Sequence, residues 1–459
     1  MHNNKNYNQQ WKFNQHARDA HSDYHRRRLA TYKKQQLKPT YSHIMLHAFI
    51  FVIFFKYLTA ATTASPTSSG TDIPPEGVAQ MYSWGSSGAI GEPSDSVILT
   101  PLARGIPVAD LSAGAGYSLI ILEDGTAQSA GSIDSIDNYH GNLGLPLESV
   151  SAGENPFQSI TSVFDAETGS DVDPPPFVLA FAGAEALLSP GEIHSVLISE
   201  DGGAYVFGSN NLGQLCLGDF DDRNIPQRVP IDGVVKSAAI GAGHTLLLLE
   251  DGSVYGCGSN VAGQIGLGAE IAETNTPTLL DIEAVEKISS GLDFSLIKAA
   301  DGLYIMGSNG FGNLCIDSAG QNVMTPTLID DVDVSIVASF EAIKSSSFIS
   351  FLDGSVGACG ANSAGQLGDG TNEDRIRTVI DPLPDNSPVR KLGVGPSAES
   401  AFFINDLGNT YATGLNSVGQ LGVGDLEDRS SLTLVIFPQG VVAPEHISAA
   451  GSHTLGRIE

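Results

Sequence analysis

Short apolar runs separated by a tight polar turn recur along the chain. Within residues 241–268, an apolar run at Thr245–Leu249 precedes the pair Asp251-Gly252. A second apolar run at Val254–Cys257 then leads into a glycine-rich corner. Asp-Gly between two apolar runs is a strong hairpin signal, because both residue types tolerate a positive φ. The pattern predicts two antiparallel strands followed by a sharp corner.

The pattern returns in seven copies, each anchored on the glycine that follows the second run. Successive anchors are 46, 77, 50, 49, 53 and 54 residues apart, which gives a repeat of about fifty residues with one long step. Fifty residues supply four short strands, the size of one blade of a β-propeller. The anchors are Gly85, Gly131, Gly208, Gly258, Gly307, Gly360 and Gly414.

The long step predicts an insertion at about residues 154–190. Its sequence, "DAETGSDVDPPPFVLAFAGAEALL", combines an acidic stretch, three prolines and an apolar run. The apolar run fits either a blade strand or a short helix. The insertion is interpreted as a surface excursion or as a loop that contacts a partner, because long loops on rigid scaffolds often carry binding.

The two ends of the repeat region complement each other. The first copy, residues 81–92, has no strand before it, whereas residues 449–459 form that strand with no hairpin after it. An open solenoid needs capping repeats, but a closed ring joins its ends within one blade. We therefore predict an all-β fold over residues 78–459. It is a seven-bladed β-propeller closed by C-terminal strands that complete the first blade.

The corners carry the most specific motif. "GSNNLGQLCLGD" begins at Gly208, "GSNVAGQIGLGA" at Gly258 and "GLNSVGQLGVGD" at Gly414. Together with the histidine-bearing strands and the Asp-Gly turns, they resemble the regulator of chromosome condensation repeat family. The chain also resembles the secreted propellers of that family that inhibit β-lactamases. The resemblance implies a seven-bladed propeller.

Members of that family have divergent functions, so the resemblance leaves the biochemistry open. The family includes a nucleotide exchange factor for a Ran-type GTPase, plant ultraviolet-B photoreceptors and the secreted inhibitors. The photoreceptors use a tryptophan cluster, whereas this chain has only Trp11 and Trp84. A photoreceptor function is therefore not expected.

Charge divides the chain into two parts. Residues 1–56 hold ten Lys or Arg against two Asp, which leaves 13 basic and 50 acidic residues in 57–459, a net charge of −37. Nucleic-acid affinity depends largely on neutralising phosphates with basic side chains. We therefore expect no nucleic-acid partner for the repeat region.

The N-terminal region predicts a route out of the cytosol. A basic leader at 1–43 precedes an apolar segment at 44–64 that fits a cleaved signal peptide or a type II signal anchor, and residues 65–77 form a Pro/Ser/Thr-rich linker. Met45 is an alternative start that would remove the leader. We expect a secreted protein or one on the extracellular side of a membrane, with a cytoplasmic location as the alternative.

The histidines and cysteines occupy repeat positions. The position seven residues before the hairpin Asp holds His194, His244 and Glu399, among others, and we predict packing or hydrogen bonding there rather than metal binding. Cys216 and Cys315 replace a corner glycine, and Cys257 and Cys359 each precede an anchor glycine. We interpret all four as buried thiols, with disulfides between neighbouring blades as the alternative.

Three corners end in an acid–arginine pair. Such loops suit local ion pairing better than calcium, which needs six to eight converging oxygens. They would present a negatively charged rim to a partner. The candidate partner-binding residues are Asp219, Asp221, Asp222, Arg223, Glu373, Asp374, Arg375, Asp425, Glu427, Asp428 and Arg429.

The corner glycines do not form a phosphate loop, because no GxxxxGK[ST] motif is present and no helix follows. No catalytic motif stands out either, so we expect no cofactor, no metal and no catalysis. The function predicted is a non-catalytic protein–protein interaction propeller, monomeric, that binds an unknown protein partner through loops on one rim. The alternatives are an exchange factor for a small GTPase and an extracellular hydrolase or carbohydrate binder.

Overall fold

The computed structural model describes residues 80–86, 96–101, 107–133, 141–150, 153–184, 193–318, 320–330, 332–380, 383–437 and 444–458. They belong to one compact unit, Pro74–Glu459. The predicted leader, signal segment and linker at 1–43, 44–64 and 65–77 lie outside the described residues. None of the helices within those ranges is long and apolar enough to cross a membrane.

The described residues form seven sheets, which are the seven predicted blades. Their strands pair antiparallel except for one parallel bridge in blade 3. The seven-bladed propeller is confirmed. Blades 2 and 3 contain β3 (Val108–Gly114), β4 (Tyr117–Leu122), β5 (Ala127–Ile133), β6 (Gly153–Ser159), β7 (Val163–Asp165), β8 (Ser170–Val172), β9 (Phe177–Ala182), β10 (His194–Ser199), β11 (Ala204–Gly208) and β12 (Arg223–Arg228).

Blades 4 to 7 each contain four strands in chain order. They are β13 (Val235–Ile240), β14 (His244–Leu249), β15 (Val254–Ser259), β16 (Glu273–Leu279), β17 (Val285–Ser290), β18 (Phe294–Ala299), β19 (Gly302–Gly307), β20 (Val323–Leu328), β21 (Val337–Ile343), β22 (Ser346–Phe351), β23 (Val356–Gly360), β24 (Arg375–Val379), β25 (Val389–Gly393), β26 (Ser400–Asn405), β27 (Thr410–Gly414) and β28 (Arg429–Leu434). One-turn 3-10 helices lie at Leu147–Ser149 and Val334–Ile336.

Blade 1 closes the ring as predicted. It combines β1 (Gln80–Gly85) and β2 (Ser96–Pro101) with β29 (His446–Ala449) and β30 (His453–Ile458), in the order β2-β1-β30-β29. β1 pairs with β30 over six residues, from Gln80 opposite Ile458 to Gly85 opposite His453. Trp84 is fully buried at this seam and packs edge-on against Phe402 of blade 7, with ring centroids 5.8 Å apart.

The anchor glycines are fixed by close backbone approach. Gly258 has a φ of +97°, and a Cβ there would lie 2.3 Å from the carbonyl oxygen of Gly243. Gly414 has a φ of +107°, and its Cβ would lie 2.2 Å from the carbonyl oxygen of Glu399. Only glycine combines this backbone conformation with that approach. Six of the seven anchors have a positive φ, and at the seventh, Gly131, a Cβ would lie 2.5 Å from the Cβ of Tyr117.

The predicted insertion range of 154–190 spans parts of two blades. Its beginning belongs to β6 of blade 2, and Phe177–Ala182 is β9, the first strand of blade 3. Between them, β7 and β8 form a hairpin that joins the outer edge of blade 3 through a single parallel bridge between Phe164 and Gln227. The apolar run is therefore a strand, and the added element covers the outermost strand of its blade.

The interpretation of the cysteines as buried thiols is wrong. Cys216 is bonded to Cys257, and Cys315 is bonded to Cys359, with Cα–Cα distances of 5.5 and 5.4 Å. Each bond joins a corner loop to the third strand of the next blade. At four other interfaces the same corner position is a glycine, and a Cβ there would contact the equivalent strand residue: Phe207, Met306, Thr413 or Trp84. Because the partners lie across a blade boundary, spacing within one repeat does not reveal the pairing.

The repeated histidines connect neighbouring blades. The Nε2 atom of His244 lies 2.9 Å from the Ser295 hydroxyl, which donates to the Gln264 carbonyl at 2.8 Å. The histidine is therefore the donor, and His194 makes the same connection to Thr245 at 2.7 Å. Burial lowers the pKa of both imidazoles to about 3.

The predicted position of Glu399 in this set is wrong by one residue. Ser400 pairs with Gly414, as His244 pairs with Gly258. The two hairpins have the same length, because the Gly408 N–H donates to the Asn405 carbonyl as the Gly252 N–H donates to that of Leu249. Asp406 lies one position earlier in its turn than Asp251, which displaces the spacing. The Glu399 carboxylate instead accepts from Lys344 Nζ at 2.8 Å.

Candidate functional site

The corner loops join the third and fourth strands of each blade, and their equivalent positions place them on one rim of the ring. We call this the corner rim, defined by residues 209–222, 260–272, 308–318, 361–374 and 415–428 of blades 3 to 7. Each loop is built around an asparagine two residues after the anchor glycine. Asn416, for example, accepts a hydrogen bond from the Leu421 N–H at 2.9 Å through its Oδ1.

The acid of each acid–arginine pair closes its loop. The N–H of Asn210 donates to Asp222 at 2.7 Å, and the N–H of Asn416 donates to Asp428 at the same distance. In blade 6, Asp374 accepts from the equivalent asparagine at 2.9 Å. These carboxylates satisfy backbone donors that the tight corner would otherwise leave without a partner.

The arginines bind a second acid within their own loops. Arg223 Nη2 lies 2.6 Å from Asp219 Oδ2, and Arg429 makes the equivalent contact with Asp425. The backbone N–H of Glu427 lowers the pKa of Asp425, partial burial opposes this, and the arginine lowers it further. The ion pairs therefore organise the loops locally.

Blade 6 repeats the arrangement with different atoms. Arg375 Nε lies 2.7 Å from Asp369 Oδ2, and its Nη1 lies 3.0 Å from Glu373. Partial burial raises the pKa of Asp369, but hydrogen bonds from Thr371 and Arg375 outweigh it and hold that pKa below its usual range. The predicted contact residues thus form three separate clusters, on blades 3, 6 and 7.

Within those clusters, six residues are exposed: Asp221, Asp222, Glu373, Asp374, Glu427 and Asp428. Partner binding by the acid–arginine residues remains a prediction. In the part of the chain that the structure describes, no three His, Cys, Asp or Glu side chains are grouped so as to hold a metal ion. The geometry supports surface recognition by rigid loops.

The central channel holds charged groups that sequence reasoning did not single out. A cavity of about 380 Å³ is lined by the first strands of the blades. Asp110 lies 3.6 Å from His446 Nδ1 on one wall, and Lys287 pairs with Glu341 on two other blades. Burial raises the pKa of Asp110 to about 6 and lowers that of His446 to about 4. The alternation of side chains along a strand shows which residues share a face. It does not show that this face lines the central channel until the position of the strand in the ring is known.

A sequence profile of the regulator of chromosome condensation repeat matches residues 201–248 and 251–297, and a second profile of that repeat matches 235–264. The chain carries regulator of chromosome condensation repeats. Each longer match begins at a hairpin aspartate, Asp201 or Asp251, and ends in the second strand of the following blade. The sequence repeat is therefore offset from the blade, and each repeat joins two neighbouring blades.

Similarity to curated proteins extends across most of the repeat region. The chain is 28% identical over 380 residues to the ultraviolet-B receptor UVR8 of Arabidopsis thaliana, covering 82% of this chain and 68% of the receptor. It is 29% identical over 156 residues to the mouse X-linked retinitis pigmentosa GTPase regulator, covering 34% of this chain and 15% of that protein. Trp84 is the single tryptophan among the described residues, and it lies buried at the ring closure.

Solved structures share the propeller fold of this chain. Human WBSCR16 superposes with a TM-score of 0.67 and 20% identity, covering 83% of this chain and 99% of that one. Yeast RCC1 (Prp20) superposes with a TM-score of 0.66 and 18% identity, covering 83% and 88%. At this identity the similarity shows the propeller fold alone.

Proposed function

We propose that this chain is a non-catalytic protein-interaction propeller that acts outside the cytosol, secreted or tethered to a membrane, and binds its partner through the corner rim. The observation that carries the proposal is the pair of disulfides between blades, Cys216–Cys257 and Cys315–Cys359. Disulfides persist in oxidising compartments and are rare in the cytosol. They support the route out of the cytosol that residues 44–64 predict.

The rim suits recognition because its loops are held rigidly on the blades. Loops that are ordered before binding lose little conformational entropy when a partner docks. The acidic excess of residues 57–459 favours a protein partner with a basic surface. We expect the propeller itself to be a monomer.

Location is tested with a glycosylation reporter, because the chain has no N-x-S/T sequon with an allowed middle residue. A sequon added after Glu459 should acquire a glycan, and thiol alkylation under native and denaturing conditions should label none of the four cysteines. A matched sequon added before Met1 shows whether the chain N-terminal to residues 44–64 also enters the compartment where glycans are added. A soluble cytosolic protein with no glycan at the C-terminal sequon and four reactive thiols would overturn the location.

The interaction itself is tested by crosslinking in intact cells. A photocrosslinking residue at Glu373 on the corner rim should capture a partner, and one at Leu352, which is exposed in a hairpin turn outside the corner loops, serves as the control. Capture from the control position alone would place binding elsewhere.

The second candidate is an exchange factor for a small GTPase. The observations that favour it are the similarity to the retinitis pigmentosa GTPase regulator and the likeness of fold to yeast RCC1. Release of a fluorescent guanine nucleotide from a panel of small GTPases decides between the two functions. Accelerated release by the purified propeller would favour exchange, and unchanged rates across the panel would favour the interaction function.

A further inference from the structure

Blades 4 and 5 depart from the acid–arginine pattern of the corner rim. The N–H of Asn260 donates to the Ala272 carbonyl at 2.7 Å, where blades 3, 6 and 7 use an aspartate. In blade 5, the Asn309 side chain donates to the Ser318 carbonyl at 3.1 Å. Neither of these corner loops contains a Lys or Arg. The change removes the arginines from this stretch of the rim.

Large apolar side chains are exposed in this stretch and beside it. Val261, Ile271 and Phe311 lie in the corner loops of blades 4 and 5, whereas Phe220 lies in the blade 3 loop and Ile376 in β24 of blade 6. Val261 is 68% exposed, and Phe311 and Phe220 are 48% and 47% exposed. Ile271 and Ile376 are each 41% exposed. We call these five residues the apolar arc. Aromatic side chains that a fold leaves in water at loop tips are typical anchors of protein interfaces.

Backbone contacts link the loops of the arc from blade 3 to blade 6, because each corner loop rests on the outer strand of the next blade. The Gly218 N–H donates to the Asn275 carbonyl at 2.7 Å, four residues after Ile271. The Gly268 N–H donates to the Met324 carbonyl at 2.9 Å in blade 5. Gly312, beside Phe311, packs so closely on Ile376 that a Cβ would lie 3.2 Å from its Cα.

The two loops that carry the phenylalanines are also the two that are held by disulfides. Cys216 lies four residues before Phe220, and Cys315 lies four residues after Phe311. Each bond fixes the loop to the next blade, so the aromatic side chains sit on ordered backbone. Such preorganisation lowers the entropy lost on binding.

The surroundings of the arc are mainly acidic, apart from Arg377, which is exposed beside Ile376 and donates to the Cys315 carbonyl at 2.6 Å. Asp221 and Glu373 are exposed near its two ends, and Glu270, Glu273 and Asp317 are exposed along it. Like charges across an interface are unfavourable, so a second copy of this acidic propeller is a poor occupant. A segment that pairs apolar side chains with lysine or arginine matches both the apolar and the acidic groups.

We propose that the apolar arc is the docking surface for a protein segment whose apolar side chains are flanked by basic residues. The proposal rests on the proposed interaction function and names the part of the rim and the chemistry of the partner. It predicts that binding requires the tips of blades 3 to 5 more than the acid–arginine cluster of blade 7.

The probe is a pair of synthetic peptides with identical apolar cores, one flanked by lysines and the other by glutamates. Fluorescence anisotropy with the full propeller should show binding of the lysine peptide that weakens as salt is raised from about 0.05 to about 0.5 M. Val261→Asp and Phe311→Asp should each weaken it by about tenfold or more. Leu426→Asp is the matched control, because Leu426 is exposed at the same loop position as Phe220 but lies in blade 7.

Thermal unfolding confirms that the variants fold, since the replaced side chains are exposed. No binding of the lysine peptide, equal binding of both peptides, or equal losses in Leu426→Asp and the arc variants would each overturn the proposal. So would a dimer that Val261→Asp converts to a monomer, because the arc would then be occupied by a second copy.

The crosslinking experiment separates this proposal from the proposed function. If the Glu373 crosslinker captures a partner equally well in the wild-type and Phe311→Asp proteins, the arc is wrong while the interaction function stands. If it captures no partner but the lysine peptide binds through the arc, the docking chemistry stands and the cellular function is wrong.

Discussion

The Cys216–Cys257 bond provides a quantitative test of how neighbouring blades are held together. It closes a loop of 41 residues, and fixing the ends of such a loop in the unfolded chain is worth about 4 kcal/mol at about 25 °C. Cys216 also has a φ of +60°, in the left-handed region that disfavours side chains by roughly 1 kcal/mol. The bond and the backbone strain therefore act in opposite directions at one residue.

Two double variants separate these contributions. Cys216→Ala with Cys257→Ala removes the bond and keeps the strain, so we expect a loss of about 4 kcal/mol in the free energy of unfolding. Cys216→Gly with Cys257→Ala restores the glycine found at this corner position in other blades, so we expect a loss of only about 3 kcal/mol.

The assay is urea unfolding followed by far-ultraviolet circular dichroism, with and without reductant. Reductant should destabilise the wild-type protein more than either double variant, which retains only the Cys315–Cys359 bond. A glycine variant no more stable than the alanine variant would refute the strain argument. If reductant left the stability of the wild-type protein unchanged, the conclusion that the disulfides stabilise the fold would be refuted.

Three further predictions concern pH, the anchors and the corner loops. His453 joins His194 and His244 as a third buried interblade histidine, with its Nε2 2.9 Å from the Ser118 hydroxyl of blade 2. Burial lowers the pKa values of all three from 6.5 to about 3, so they bind protons mainly when unfolded. The free energy of unfolding should therefore fall as pH drops below 6.5, by about 1.4 kcal/mol per histidine per pH unit. Asp110, whose pKa burial raises to about 6, opposes this loss because it binds its proton more readily in the folded protein. A urea midpoint that stays unchanged between about pH 7.5 and 5.5 would contradict the prediction. Gly258→Ala should lower the free energy of unfolding by at least about 3 kcal/mol, because the new Cβ would contact backbone atoms. Gly268→Ala, with open space around it, should lower it by about 1 kcal/mol. Equal shifts in Tm would count against the close-approach argument. Asp428→Ala should cost about 1–3 kcal/mol by leaving a backbone N–H without its partner, and Glu427→Ala should cost less than about 0.5 kcal/mol, as measured by urea unfolding.

Much of the fold was predictable because its signals are local. The Asp-Gly turns and the anchor glycines each reflect the backbone conformation of their own residues, so they recur in register. Ring closure was predictable for a different reason, since the two terminal half-copies add up to one blade. Glu399 shows the limit of counting from one residue type, because Asp406 lies one position earlier in its turn than the aspartates of the other hairpins.

The site was less predictable because its contacts cross blade boundaries. Cys216 and Cys257 occupy different positions in successive copies, so they look unrelated until the blades are stacked. The exposure of Val261 and Phe311 depends on how each corner rests on the next outer strand. The only sequence signal for the apolar arc is the loss of the acid–arginine pair in blades 4 and 5.

The pairing of β1 with β30 has a consequence for biosynthesis. The strand Gln80–Gly85 leaves the ribosome first among the described strands, yet its neighbour His453–Ile458 leaves last. Blade 1 can therefore be completed only after the other six blades have been translated, so the seam around Trp84 is the last part of the described ring that can close. A chain truncated before residue 453 lacks β30, so its ring cannot close through this pairing.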